Sequence, residues 1–164
     1  LEFAPKDAQS ASFDVMQAIV GAHALVEHRC EQANVRVSVG TLDDSIKLPF
    51  VYGDAHEIQQ VMLNIFLNSL DAIGDRGGVI DVRCSVGKGM VRVVVRDDGV
   101  GMEKEMLARV FDPFFSEKER PDASGLGMFV SYSIVQNHGG TMVVDSVAGE
   151  GFRVTMELPI APTS

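Results

Sequence analysis

Cysteine is scarce. Only Cys30 and Cys84 occur in 164 residues, too few for a disulfide framework, and neither falls in a CxxC or Cys/His spacing that would hold zinc. Both read as reduced filler in a cytosolic protein. Positive charge is also short: 14 Lys and Arg against 23 Asp and Glu leave a formal net charge of -9. That balance argues against a nucleic-acid partner, whose phosphates are gripped through basic side chains. A bound polyanion would need local help from backbone N–H groups, a metal ion or a few placed lysines. No apolar run approaches the roughly 18 residues of a membrane span, and no basic-then-apolar leader opens the chain. A soluble chain is expected, located in the cytoplasm without direct membrane contact, whether or not a longer protein is membrane-anchored. GxxxxGK[ST], a GxGxxG after a strand, HExxH and a nucleophile elbow are missing too, as are internal repeats and low-complexity tracts.

What is present suits one compact domain: 46% of the residues are hydrophobic, enough for a well-buried core at this length. Val15, Ile19, Ala22 and Val26 recur at helical intervals, predicting a helix over 13–32 with Ser12 as its cap. "VRVSVG" (35–40) alternates as a strand. Asp54 and Glu57 have the spacing of a capping box at the start of a second helix, which should run to about Ile73. "VIDVRCSV" and "KGMVRVVVRDD" read as a hairpin around Gly87 to Gly89. A short helix at 103–109, a helix ending on Gly139 and two closing strands, "TMVVDS" and "GFRVTMELP", complete the order. Helices on one face of a mixed sheet are the natural packing: an α/β (α+β) two-layer sandwich.

Within the second helix, Asn64, Asn68 and Asp71 stand four and three residues apart and so share one stripe. If that stripe is buried it needs partners, because an unpaired buried amide costs on the order of 1–3 kcal/mol. "RDDGVGM" (96–102) sets an acid, Asp97, at a strand end before Gly99 and Gly101. Such glycines permit a sharp turn or the close approach of a flat ligand, and taken alone an ordinary strand-ending turn explains them more often. "SGLGM" (124–128) precedes a helix, where free N–H groups can hold an anion, although a hinge would look the same. Between them "VFDPFFSEKERPDA" carries Phe111 and Phe114 around a proline, too apolar for a plain solvated loop and suited either to anchor one end of a segment whose charged remainder moves or, equally, to form satellite core.

The order of these blocks resembles the ATP-binding catalytic domain of bacterial two-component sensor histidine kinases, of the Bergerat-fold ATPase superfamily. They match that family's N box, first glycine box, F box and second glycine box over Asp54 to Pro159. "NSLDAI", "DPFFSEK" and "IVQNHGG" look most like its nitrogen-regulation branch. The resemblance implies a mostly antiparallel mixed sheet and ATP and Mg2+ as cofactors, with Asn68 as metal ligand. Asn64 would meet the phosphates or a metal-bound water, and Asp71 would assist through water. Asp97 would accept from the adenine amino group, with Gly99 and Gly101 against the base and Thr155 holding a water beneath it. Ser124, Gly125, Leu126 and Gly127 would line the phosphates, and Lys118 would add a mobile charge. Asn64, Asn68 and Lys118 would thus serve the transfer.

The same resemblance makes residues 1–11 the tail of a preceding dimerisation helix or linker and residues 12–160 the catalytic domain. None of His23, His28, His56 or His138 stands in a phosphoacceptor context, so the histidine to be phosphorylated is expected on the chain's own dimerisation domain, outside this sequence. A response-regulator receiver domain and a homodimeric full-length protein are the other partners implied. His138, before a helix-ending Gly-Gly, reads as structural. Two departures matter. Related gyrase, mismatch-repair and chaperone ATPases place a glutamate general base where Asn64 stands, and an amide cannot take up a proton at neutral pH, so ATP hydrolysis should be slow. Ala123 replaces the glycine that usually opens the second glycine box. A domain of this fold that binds nucleotide or protein without transfer activity is the alternative.

Overall fold

The computed structural model describes residues 10–113 and 127–162. A short strand β1 (Ala11–Phe13) leads into helix α1 (Val15–Gln32). The expected cap at Ser12 is corrected: Ser12 belongs to β1, and Asp14 caps α1, its carboxylate accepting from the Met16 N–H at 2.9 Å. Strand β2 (Val35–Thr41) follows, and then β3 (Val51–Gly53), which pairs antiparallel with β1 in a separate two-stranded sheet.

Helix α2 (Ala55–Ile73) begins where the capping box predicts. Asp54 Oδ1 accepts from the His56 N–H at 2.9 Å and the Glu57 N–H at 3.4 Å, satisfying two of the first-turn donors. Its apolar residues Ile58, Val61, Met62, Ile65, Phe66, Leu70 and Ile73 recur at three- and four-residue intervals and are buried. A single 3-10 turn (Gly74–Arg76) connects to β4 (Gly78–Gly87), which forms the expected hairpin with β5 (Met90–Asp97). The short α3 (Lys104–Leu107), then α4 (Gly127–Asn137), β6 (Thr141–Val147) and β7 (Gly151–Pro159) follow.

The main sheet runs β2-β4-β5-β7-β6, with β2 and β4 parallel and every other pair antiparallel. Alternation divides it cleanly. Ile80, Val82 and Cys84 of β4, Val91, Val93 and Val95 of β5, and Val154, Met156 and Leu158 of β7 are buried in one core with α1, α2 and α4. The other face carries the ion pairs Arg83–Asp81, Arg92–Glu157 and Arg153–Asp145. Exposed pairs of this kind contribute about 0–1 kcal/mol each, so the sheet is held mainly by the helical face. The resulting two-layer sandwich is the architecture the sequence predicts. Both cysteines lie inside it, where burial raises the Cys30 thiol and pushes Cys84 up to about 11. Neither is a thiolate nucleophile at neutral pH.

His138 fastens two of the helices to each other. Its Nδ1 lies 2.8 Å from the Ile134 carbonyl oxygen, which can only accept, so Nδ1 carries the proton. Nε2 is therefore free to accept from the Asp54 N–H, at 3.0 Å. The neutral ring thus ties the cap of α2 to the end of α4. Replacing His138 by alanine leaves the Asp54 N–H unpaired in a nearly buried position, and urea unfolding should show a loss of about 1–3 kcal/mol. An unchanged midpoint would remove His138 as a tie.

Candidate functional site

Asp97 is the last residue of β5 and is 8% exposed. Burial raises its carboxyl above the ordinary carboxylate range. The Gly99 N–H, donating to Oδ1 at 2.9 Å, pulls it part of the way back, with further help from the Ser69 hydroxyl and the Phe152 N–H. The neighbouring Asp98 adds to the upward push. A carboxylate offers about four lone-pair directions, so these donors leave it able to accept from a ligand. Asp98 faces elsewhere, with Oδ1 accepting from the Val79 N–H at 2.9 Å and its carbonyl accepting from Arg76 at 3.0 Å.

The glycines after Asp97 hold the loop against its neighbours. A methyl group on Gly99 would lie 2.7–2.8 Å from the carbonyl and side chain of Ala72, and the Val100 N–H donates to the Ala72 carbonyl at 3.1 Å. The close approach that Gly99 permits is therefore to the end of α2. Gly101 adopts φ +70°, and a methyl group there would meet the Val147 carbonyl oxygen at 2.3 Å and the Gly151 carbonyl oxygen at 2.9 Å. Ser146 completes the seam by accepting from the Met102 N–H at 2.8 Å and donating to the Gly151 carbonyl at 2.7 Å. The loop from Asp97 to Met102 is thus clamped between α2 and the β6–β7 turn.

The polar stripe of α2 borders this loop. Ser69, buried among the apolar residues of the helix, reaches Asp97, which sets Asn68 immediately beside that contact in the chain and Asn64 one turn earlier. The premise of a buried stripe is corrected: Asn68 is exposed, and Asn64 and Asp71 are half-buried. Asn64 has protein partners of its own, its Nδ2 donating to the Gly127 carbonyl at 3.3 Å and to Ser131 Oγ at 3.1 Å. Gly127, the first residue of α4, therefore stands at Asn64. Beyond the stripe, Phe111 stacks on Tyr132 of α4 with ring centroids 4.6 Å apart, one apolar anchor of the phenylalanine block.

Thr155 does not join the others. The register pairs Asp97 with Phe152, Val95 with Val154 and Val94 with Thr155, so Thr155 lies on the opposite face of the sheet from Asp97. The β7 residue beside the Asp97 carboxylate is Phe152, and the assignment of Thr155 to a water beneath adenine is withdrawn. Phe114, Lys118, Ala123, Ser124, Gly125 and Leu126 lie outside the described residues. Sequence reasoning missed Ser69, Phe152, Ser146 and Ser131. Only Phe152 carried a signal, since counting back in twos from the apolar Leu158, Met156 and Val154 puts it on the core face.

The donor set can be tested against a divalent cation. Among the described residues no group of three or more His, Cys, Asp or Glu could hold one. Asn64 and Asn68 instead offer neutral amide oxygens on one helix face. Mg2+ takes six oxygens, keeps several waters and commonly binds through few protein groups plus substrate phosphates. The residues therefore fit a cation that arrives with a polyphosphate.

A buried carboxylate at a strand end, a glycine loop and an asparagine-bearing helix meet on this two-layer sandwich, an arrangement with acceptors and room for a nucleotide. The chain belongs to the family of histidine kinase-, DNA gyrase B- and HSP90-like ATPases, whose model matches residues 53–162. It is 40% identical over 113 residues to the sensor histidine kinase ZraS of Escherichia coli O157:H7, a match that covers 69% of this chain and 24% of that protein. Its fold matches the catalytic domain of the histidine kinase ThkA with a TM-score of 0.79 and 25% identity, covering 93% of this chain and 99% of that one. A second ThkA structure, in complex with the response regulator TrrA, matches with a TM-score of 0.76 at 25% identity over 93% of this chain and 42% of that one. The matched part of the chain thus spans about a quarter of the length of ZraS.

Proposed function

We propose that this domain binds Mg-ATP and donates the γ-phosphoryl group to a histidine on a separate dimerisation domain, from which it passes to an aspartate of a response regulator. The observation that supports this most is the buried Asp97 carboxylate held beside the asparagine stripe of α2 in a chain of the histidine kinase-like ATPase family. In this reading Asp97 accepts from the adenine amino group, and Asn64 and Asn68 present amide oxygens at the triphosphate end. Ser124, Gly125, Leu126 and Gly127 line the phosphates, Lys118 adds positive charge, and Asp71 acts through water. Bound Mg2+ supplies neutralisation of charge on the phosphates.

Phosphoryl transfer relies on positioning and charge stabilisation more than on covalent help from the protein. A domain that only holds and orients ATP is then sufficient, provided that a partner brings the histidine. Each transfer breaks the bond from the γ-phosphorus to the bridging oxygen, leaves ADP, and forms a phosphorus–nitrogen bond. Asn64 cannot act as a general base for water, so hydrolysis without the acceptor should be slow. The complex of the related ThkA with a response regulator supports a receiver domain as the downstream partner. The full-length protein is proposed to be a cytoplasmic or membrane-anchored homodimer, with this domain on the cytoplasmic side.

Radiolabelled ATP mixed with this domain and a dimerisation domain bearing its histidine should label that histidine. Asn68→Ala should lower the rate by tenfold or more and abolish the gain in ATP affinity that Mg2+ gives the wild type. ATP binding without labelling would favour a nucleotide-binding module that has lost transfer. Equal rates for wild type and Asn68→Ala would remove Asn68 as the metal ligand.

A further inference from the structure

Asn64 turns both amide protons inward. Its Nδ2 lies 3.3 Å from the Gly127 carbonyl oxygen and 3.1 Å from Ser131 Oγ. A backbone carbonyl has lone pairs and no proton, so the branch of the amide that faces Gly127 must be the NH2. The orientation follows from that chemistry: Oδ1 is the branch turned away from α4, and no hydrogen bond to it occurs among the described residues.

Ser131 is the shorter of the two contacts and is 0% exposed. Its buried neighbours on α4 are Met128, Ile134 and Val135, so an apolar side chain would suit the packing better than a hydroxyl. A buried hydroxyl without a partner costs about 1–3 kcal/mol, and Asn64 is its partner across the helix interface. The serine serves the amide rather than the core.

We propose that Ser131 is a positioning residue for Asn64, holding the amide with Oδ1 outward so that Asn64 meets bound Mg-ATP as an acceptor. Asn64 then faces a metal-bound water, and it does not donate to a phosphate oxygen. Of the two roles that the sequence leaves open for Asn64, the hydrogen bonds select one. The proposal rests on the phosphotransfer reading for its ligand and on the Ser131 contact for its geometry.

Two variants separate hydrogen bonding from packing. Ser131→Ala deletes the oxygen, and Ser131→Cys replaces it with a sulfur of similar shape that is a weak acceptor. In the nucleotide-free protein, NMR of the Asn64 side-chain amide, assigned by its loss in Asn64→Asp, should show slow solvent exchange in the wild type and faster exchange in both variants. In calorimetric titrations with a non-hydrolysable ATP analogue, the gain in affinity given by Mg2+ should fall about 3- to 10-fold in both, the worth of one hydrogen bond. Affinity without Mg2+ should not change. A wild-type Mg2+ gain in both variants would overturn the proposal. So would an equal loss with and without Mg2+, or a loss confined to Ser131→Ala, since either marks a packing role. Absence of any nucleotide binding by the wild type would overturn the phosphotransfer reading and the metal-facing role together, while the amide exchange would still decide whether Ser131 holds Asn64.

Discussion

Asp97→Asn is expected to weaken ATP binding by about 10- to 100-fold and to remove the pH dependence of stability that the buried carboxylate brings to the nucleotide-free protein. The first effect follows from losing a charged acceptor for the adenine amino group, since hydrogen bonds to charged groups contribute about 1.5–3 kcal/mol. The second follows from burial. The folded protein raises the Asp97 pKa above 3.8, chiefly by desolvation, so the ionised form is penalised on folding. Between 3.8 and the raised value the folded state holds more protons than the unfolded state, and stability falls as pH rises through that window. The cost is complete above it and absent below it, and asparagine escapes it. Affinity should move the other way, weakening as pH falls through the same window and the carboxylate takes up its proton. Calorimetry of both proteins across that range, with thermal melts alongside, tests both signs. Equal nucleotide affinity for wild type and Asp97→Asn would remove Asp97 as the adenine reader.

Gly101→Ala is expected to be the most disruptive small substitution in the candidate site. At φ +70° a non-glycine residue costs about 1–2 kcal/mol. The added methyl would also sit 2.3 Å from one backbone carbonyl oxygen and 2.9 Å from another, and neither can swing aside as a flexible side chain could. Overpacking of this kind costs about 1–3 kcal/mol, so a total loss of about 2–5 kcal/mol should appear in urea unfolding as a lower midpoint with an unchanged slope. Gly101→Asn distinguishes the two causes. Asparagine tolerates the left-handed backbone but carries the same Cβ, so it should recover only the conformational part. A midpoint unmoved by the alanine would mean that the loop is not clamped against the β6–β7 turn.

Much of this molecule is legible because its signals are local. Asp54 and Glu57 mark the start of α2, the apolar intervals carry it to Ile73, and alternation around Gly87 to Gly89 yields the hairpin. Asp97 stands out because an acid ending such a strand breaks the pattern. What fails lacks a local signal. Strands β1 and β3 are three residues each, too short for alternation to register, and nothing local to Ser12 separates a helix cap from a strand residue paired with Tyr52. The place of Thr155 in the last strand matches a motif, whereas the side of the sheet it occupies depends on register with β5. Ser131 and Asn64 are 67 residues apart, and only the packing of α4 on α2 makes them a pair.

The parallel pairing of β2 with β4 has a further consequence, best seen as a matter of chain connectivity. Parallel neighbours cannot be joined by a tight turn; the chain must cross over, and here the crossover contains α2. The helix that bears Asn64 and Asn68 is thus the tether of the edge strand, with Val35 matched to Gly78 at one end of the ladder and Thr41 to Cys84 at the other. Cutting the chain within α2 would sever the covalent link between β2 and β4 and interrupt the helix that bears both asparagines. A cut at the β4–β5 hairpin would leave the asparagines on an unbroken crossover. Fold closure and the phosphate-facing helix are one covalent element, so sequence drift that loosens the first cannot spare the second.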